Sequence, residues 1–302
     1  MRLYTVEVTG NRRLVAEREG VFIDLERADA WLRARGQGRT AAPPLPSDLL
    51  SFLRLGEAGR VAAAHVLERV PTEPGIVYKA GDVRLCAPIP RPGKILCAGI
   101  NFHSHLLENP SAKIPEFPFF FAKLPSVVIG PGDPIRLPRL SQQVDWEVEL
   151  AVVIGRTASW LSEEEALQAV AGYVVLNDVS ARDIQFKDNQ ITLGKNFDTF
   201  APMGPCLVTS DEVPEPGAVR LRSFVNDQCM QDASTTEWIF PLPFLLSFLS
   251  RVMTLEPGDV VSTGTPGGVG VFRSPPVFLR PGDVVVVEAE GIGRVENSVV
   301  QG

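Results

Sequence analysis

The chain has little of the chemistry that marks several common protein classes. Its 302 residues include only four cysteines and three histidines. The cysteines, Cys86, Cys97, Cys206 and Cys229, are scattered, with no Cys-x-x-Cys pair. That excludes a zinc ribbon or a disulfide framework. Four buried thiols acting as small apolar residues are expected instead. There is no basic excess, because 29 Lys and Arg against 36 Asp and Glu give a net charge of −7. Nucleic acid is therefore not an expected partner, since its phosphates demand neutralisation. No run approaches the ~20 apolar residues of a membrane span. The nearest stretch, Phe240 to Phe248, is broken by Pro241 and Pro243. The opening Met1-Arg2-Leu3-Tyr4-Thr5-Val6-Glu7-Val8 alternates in polarity and lacks the charged start and apolar core of a secretory leader. A cytoplasmic protein in contact with neither membrane nor nucleic acid is expected. The Gly-rich stretch Thr263 to Gly270 lacks the Gly-Lys-Ser/Thr ending of a phosphate loop, and no dinucleotide fingerprint occurs, so a nucleotide cofactor is not supported. Its backbone amides remain suited to a carboxylate.

What is present is an ordinary globular balance, 45% hydrophobic and 22% charged. Glycine and proline, 26 each, make up about a sixth of the chain against a usual ~12%. That predicts many turns and short strands, a mostly β fold with some α. Residues 1–90 open with strand-like alternation and continue into helical patterns at Asp48 to Leu55 and Ala58 to Val70. The proline-rich join Cys86-Ala87-Pro88-Ile89-Pro90-Arg91-Pro92-Gly93 separates them from residues 91–302, where β signals dominate. Strands are expected at Lys94 to Gly99, Trp146 to Gly155 and Tyr173 to Leu176. Two Pro-Gly-Asp turns feed valine-rich strands at Leu255 to Val261 and Leu279 to Val285. Ser162 and Glu165 form a capping box, and Pro243 to Met253 reads as a buried helix. Asn177 to Gly204 has weak periodicity and is expected to be loop or helix in part.

Acidic residues carry the strongest chemical signal. In Asp145-Trp146-Glu147-Val148-Glu149-Leu150, strand geometry puts Glu147 and Glu149 on one face. Two adjacent carboxylates repel unless a cation or proton lies between them. Spacing alone leaves a solvated edge-strand face and a metal site equally open. Asp178 ends the next acidic motif, Leu176-Asn177-Asp178, where a neighbouring strand can bring it beside the pair. Three carboxylates without cysteine suit Mg²⁺, Mn²⁺ or Ca²⁺ and disfavour zinc. In Gly99-Ile100-Asn101-Phe102-His103-Ser104-His105-Leu106-Leu107-Glu108, a helical turn would let His105 meet Glu108. Such a pair can fix a tautomer and make a general base. Lys123 and Lys195 neighbour aromatic residues. Each reads either as a packed lysine whose ammonium reaches the surface or as a group that holds an anionic substrate or an oxyanion. The Phe117 to Phe121 cluster reads as core or dimer contact rather than as a substrate wall.

Taken in order, these motifs resemble the fumarylacetoacetate hydrolase superfamily. The resemblance runs over residues 94–300 through Gly99-x-Asn101-Phe102-x-x-His105-x-x-Glu108, Phe121-x-Lys123-x-Pro125-Ser126 and Asp145-Trp146-Glu147-x-Glu149-Leu150. It continues through Asn177-Asp178-Val179-Ser180-Ala181-Arg182-Asp183-x-Gln185, Gly194-Lys195-x-Phe197-Asp198, Pro202-x-Gly204-Pro205, Leu255-x-x-Gly258-Asp259 and Thr263-Gly264-Thr265-Pro266-x-Gly268-Val269-Gly270. One departure is Leu193, where many relatives carry tryptophan.

The resemblance implies a rolled, mixed β-sheet catalytic domain over 91–302, a small α/β accessory domain over 1–90, and a homodimer. It implies Mg²⁺ or Mn²⁺ (Ca²⁺ as a crystal substitute) on Glu147, Glu149 and Asp178. His105 and Glu108 are then a water-activating dyad on a flap, and Lys195 stabilises an enolate. Lys123, Arg182, Gln185 and Thr265 are expected to contact substrate or support the site. The implied activity is hydrolytic or lytic cleavage of a C–C bond in a small β-diketo or keto acid, acylpyruvate- or fumarylacetoacetate-like. The alternatives are an isomerase or decarboxylase of 2-hydroxyhepta-2,4-diene-1,7-dioate type substrates, an oxaloacetate decarboxylase, and a non-catalytic keto-acid binder.

Overall fold

The computed structural model describes all residues except 40, 70–72, 74, 109–112 and 188–189. Val70, the expected end of the second helix, lies outside the described residues, and so do positions 188–189 of the Asn177 to Gly204 stretch. The fold is mixed α/β with strands dominant, as expected. A twelve-stranded sheet holds most of the chain together. Its centre is antiparallel: Ala201–Thr209, Val170–Asn177 and Val148–Ile154 lie side by side, followed by Val260–Ser262. Beyond these come Ile95–Gly99, parallel to Val260–Ser262, and then Phe119–Lys123. A second sheet of five strands runs Gln228–Ser234, Arg220–Val225, Val284–Ala289, Gly293–Gln301 and Ile135–Leu137.

The Val148–Ile154 strand is buried along its whole length. It therefore reads as a continuous apolar run rather than an alternation, as expected of a strand covered on both faces. One side packs a core that includes Val153, Val174 and Leu207. The other packs Leu150, Val152, Val175 and residues of the second sheet such as Val287 and Val295. The sequence signals around this frame have physical counterparts. Both Pro-Gly-Asp turns place glycine at positive φ, +88° at Gly258 and +96° at Gly282. The aspartates Asp259 and Asp283 accept from the amides of Glu256 and Arg280, each at 2.7 Å, which closes the turns. The Ser162–Glu165 capping box is formed, and the buried helix is Leu242–Val252.

Sheet and core both run across residue 90. Arg2–Val8 pairs with Ala201–Thr209 through Arg2↔Val208 and Leu3↔Leu207. One apolar cluster contains Leu3, Leu25 and Phe52 of the N-terminal segment together with Ala151, Leu176 and Val260. The thiol expectation needs one correction. Cys86, Cys97 and Cys206 are buried, but Cys229 is exposed, because it lies on the outermost strand of the five-stranded sheet just after the Asn226-Asp227 turn.

Candidate metal centre and its pocket

Antiparallel register brings the acids together. Val148 pairs with Asn177, so Glu147 and Asp178 meet one residue beyond the paired ends. There the Asp178 amide donates to the Glu147 carbonyl at 2.9 Å. Asn177 Oδ1 also accepts from the Glu147 amide at 3.1 Å. Glu147 itself stands just before the strand, which starts at Val148. One carboxylate oxygen from each of Glu147, Glu149 and Asp178 lies within 4.8 Å of the others, and all three residues are buried.

Cations surround this cluster unevenly. Lys195 Nζ bridges Glu147 Oε2 at 2.7 Å and Asp178 Oδ2 at 2.9 Å. Arg182 reaches Glu147 Oε1 at 2.5 Å and Asp145 Oδ1 at 2.7 Å. Glu149 has no salt-bridging cation among the described residues. It is held by the Ser262 hydroxyl and by the Gly264 amide at 3.3 Å. Burial pushes the Glu149 carboxyl well above its ordinary range, and the charges of Asp178 and Glu147 push it the same way. Glu147 moves oppositely, because Lys195 and Arg182 outweigh its burial. The two ammonium groups also part. Burial lowers Lys123, whereas Asp178 and Glu147 overcome burial and raise Lys195. Asp145, Glu147, Glu149 and Asp178 thus set four buried carboxylates against the three buried cations Lys123, Arg182 and Lys195. The excess negative charge, with an all-oxygen donor set, fits a hard divalent cation.

A cavity of about 180 Å³ opens onto this centre, smaller than the ~300–1,000 Å³ of sites for drug-sized molecules. Its polar side includes Glu147, Glu149, Arg182, Gln185, Lys195, Thr265 and His105. The rest of its lining is apolar, with Ile100, Phe119, Phe121, Phe186, Ile191 and Phe272. The Phe117 to Phe121 cluster is core in part, since Phe121 joins one apolar cluster and Phe120 packs against the other, but against expectation it also lines the cavity. Alternation along the Phe119–Lys123 strand turns Phe119 and Phe121 to the same face, and that face is the cavity. Leu193 is exposed and stands outside the lining.

The His105 segment forms the helix His103–Leu107, and His105 Nδ1 lies 2.7 Å from Glu108 Oε2. Facing a carboxylate oxygen, Nδ1 carries the proton, which leaves Nε2 as the ring's basic nitrogen. Glu108 Oε1 accepts from the Gly268 amide at 2.7 Å, and Ser104 Oγ accepts from the Gly267 amide at 3.2 Å. The Gly-rich stretch therefore does cradle carboxylates, and they are the protein's own Glu108 and Glu149.

Lys123 departs from its expected place. Its ammonium neither reaches the surface nor lines the cavity. It donates to Asp178 Oδ1 at 2.7 Å, to the Lys195 carbonyl at 2.5 Å and to the Val179 carbonyl at 3.2 Å. All three N–H donors are spent behind the centre, so none is left for a substrate. Lys195 is likewise buried, not surface-seeking. Arg182, Gln185 and Thr265 do line the cavity, and Gln185 Oε1 accepts from Arg182 at 3.1 Å. Sequence reasoning passed over Asp145, Ser262 and Gln231. Asp145 was visible as an acid beside the Glu pair, but Ser262 and Gln231 carried no local signal.

The family model described as "Fumarylacetoacetate (FAA) hydrolase C-terminal" matches residues 94–300. The chain is 45% identical over 260 residues to the Xenopus laevis protein named "Oxaloacetate tautomerase fahd2, mitochondrial", covering 85% of this chain and 80% of the relative. Among solved structures it is similar to the fumarylacetoacetate hydrolase of Exiguobacterium antarcticum, with TM-score 0.83, 36% identity and full coverage of both chains. It also resembles the maleylpyruvate hydrolase of Sphingobium sp. SYK-6 in complex with manganese(II) and pyruvate, with TM-score 0.78, 30% identity and full coverage of both chains.

Proposed function

The chain belongs to the fumarylacetoacetate hydrolase family, and from that premise we propose that it is a divalent-metal-dependent enzyme of small 2-oxo acids whose reaction is keto–enol tautomerisation of an oxaloacetate-like substrate. The observation that carries this reading is the convergence of the acid triad, Lys195 and the His105–Glu108 dyad on one small cavity. The name of the 45%-identical relative supports the choice of reaction.

Glu147, Glu149 and Asp178 would hold Mg²⁺ or Mn²⁺. A cation bound there supplies Lewis-acid stabilisation for charge developing on the substrate's keto oxygen. The chain's own residues account for the rest. His105 Nε2 takes the proton from the carbon beside the ketone, while Glu108 stabilises the resulting imidazolium. Lys195 spends two N–H donors on Glu147 and Asp178, which leaves the third for the enolate oxygen. The imidazolium then gives its proton back at that oxygen, which regenerates His105 and completes the tautomerisation. The aromatic wall keeps bulk water away from the carbanion. A dication on the triad would turn the local charge positive, which suits the anionic carboxylates of a keto acid.

Hydrolytic C–C cleavage of an acylpyruvate-like acid is the second reading. It draws on the same basic Nε2, which can equally deprotonate a water, and on the pyruvate-bound maleylpyruvate hydrolase. Both reactions can be followed in the ultraviolet with Mg²⁺ or Mn²⁺ and with chelator. Metal-dependent acceleration of oxaloacetate keto–enol relaxation supports the first reading. Cleavage of acylpyruvates without that acceleration replaces it with the second. No turnover of any keto acid with metal bound leaves a binding protein.

A further inference from the structure

We propose that Gln231, on the second sheet and outside the cavity, is the positioning residue that fixes the spacing of Glu147 and Glu149. The inference rests on the reading of those glutamates as cation ligands. Val148, the residue between them, has its amide and carbonyl on the side where Val260–Ser262 is the neighbouring strand. That strand pairs only as far as Ala151↔Ser262, so Val148 lies beyond its reach. Two side chains take the strand's place. The Val148 amide donates to Gln231 Oε1 at 3.0 Å, Gln231 Nε2 donates to Thr265 Oγ1 at 2.8 Å, and Thr265 Oγ1 donates to the Val148 carbonyl at 2.9 Å. The three bonds close a ring around one residue and so hold both peptide units that flank Val148.

The amide orientation is unambiguous. Oε1 also accepts from the Ser223 hydroxyl at 2.9 Å, and Nε2 also donates to the Pro266 carbonyl at 2.8 Å. A flipped amide would set NH₂ against the Val148 N–H and oxygen against the Pro266 carbonyl. All four hydrogen bonds of the side chain are therefore used, and Gln231 is 1% exposed. A residue that merely filled space would need none of them. Rotation of either peptide flanking Val148 would move Glu147 and Glu149 apart, and the ring opposes it at the amide of one and the carbonyl of the other.

The test is Mn²⁺ binding by calorimetry on the full chain. Gln231→Met keeps volume and removes the bonds. Its Mn²⁺ affinity should fall about 10- to 100-fold, the usual effect of losing a partner that orients a ligand. Thr265→Val breaks the same ring from the loop side and should also weaken binding. The double variant should lose little more than the worse single one, because both open one ring. Ser223→Ala, which removes a bond to Gln231 outside the ring, should bind Mn²⁺ within about threefold of the parent. Parental affinity in Gln231→Met overturns the proposal, and so do losses that add fully in the double variant. Should Gln231→Met fail to fold, parental affinity in Thr265→Val overturns it alone.

Discussion

At the residue scale, the proposed reaction gives each member of the site a distinct duty. Glu149 is the carboxylate with the weakest protein counter-charge, so its removal should strike cation binding first. Glu149→Ala is expected to lower Mn²⁺ affinity by at least about 100-fold, the upper range for losing a mere supporting partner, and to abolish turnover. Calorimetry and a keto-acid assay check both. His105 stands on a different element and touches Glu108 rather than the acids. His105→Ala should leave Mn²⁺ affinity intact while the rate falls about 10²- to 10⁴-fold, the usual share of a general base. Parallel loss of affinity would contradict that separation. The Glu147–Glu149 pair and the dyad were legible in the sequence because each rests on short-range spacing, i, i+2 and i, i+3; Asp178 joins the pair only through the register of the neighbouring strand. Lys123 was misjudged because its role is set by Asp178, 55 positions away. Gln231 left no trace because its partners are 83 and 34 positions off.

At the element scale, the helix His103–Leu107 is too short to hold its place unaided. It is tied to the Thr263 to Gly270 stretch through Ser104 and Glu108. Close approach makes this docking sensitive to a single methyl. A Cβ at Gly267 would lie 3.0 Å from the Ser104 carbonyl oxygen. Gly267→Ala should therefore push the helix off its seat, at ~1–3 kcal/mol of local strain. The expected signature is faster amide exchange at His105 and its neighbours and a lower turnover rate, with unchanged Mn²⁺ affinity. Unchanged exchange would mean that the helix is held elsewhere. The glycines here were visible in the sequence, but their partner segment, 160 positions earlier, was not. The Phe119 side chain was misplaced for a related reason: composition says that an aromatic cluster is buried, while sheet pairing decides what it faces.

At the scale of the whole molecule, a continuous sheet and a shared core join the first ninety residues to the rest. Gly258 illustrates the contact, since a Cβ there would lie 2.5 Å from Leu50 Cδ1 of an N-terminal helix. Calorimetric unfolding should show one cooperative transition, not two. Saturating Mn²⁺, at about 100 times its Kd, should add ~2.7 kcal/mol to the stability and raise Tm by several degrees. Glu149→Ala should show no such rise. Two resolved transitions would mean that the segments unfold separately. The mostly β class was readable from the abundance of turns and valine-rich strands. The seam between Arg2–Val8 and Ala201–Thr209 was not, because a polar–apolar alternation does not say which strand lies alongside it.

The stretch from Thr263 to Gly270 works as a rigid bracket. Its backbone and side chains hold Glu149, the Val148 carbonyl, Ser104 and Glu108 at once. Remodelling it would disturb cation grip and proton transfer together. Of the apolar wall, Phe272 packs against the His105 ring and Ile191 caps the helix that carries Lys195, but no hydrogen bond or ring contact among the described residues ties Phe119 or Phe186 to the triad or the dyad. Changes of taste for one acid over another are therefore best sought at those two positions, where shape can drift while the bracket keeps the chemistry in place.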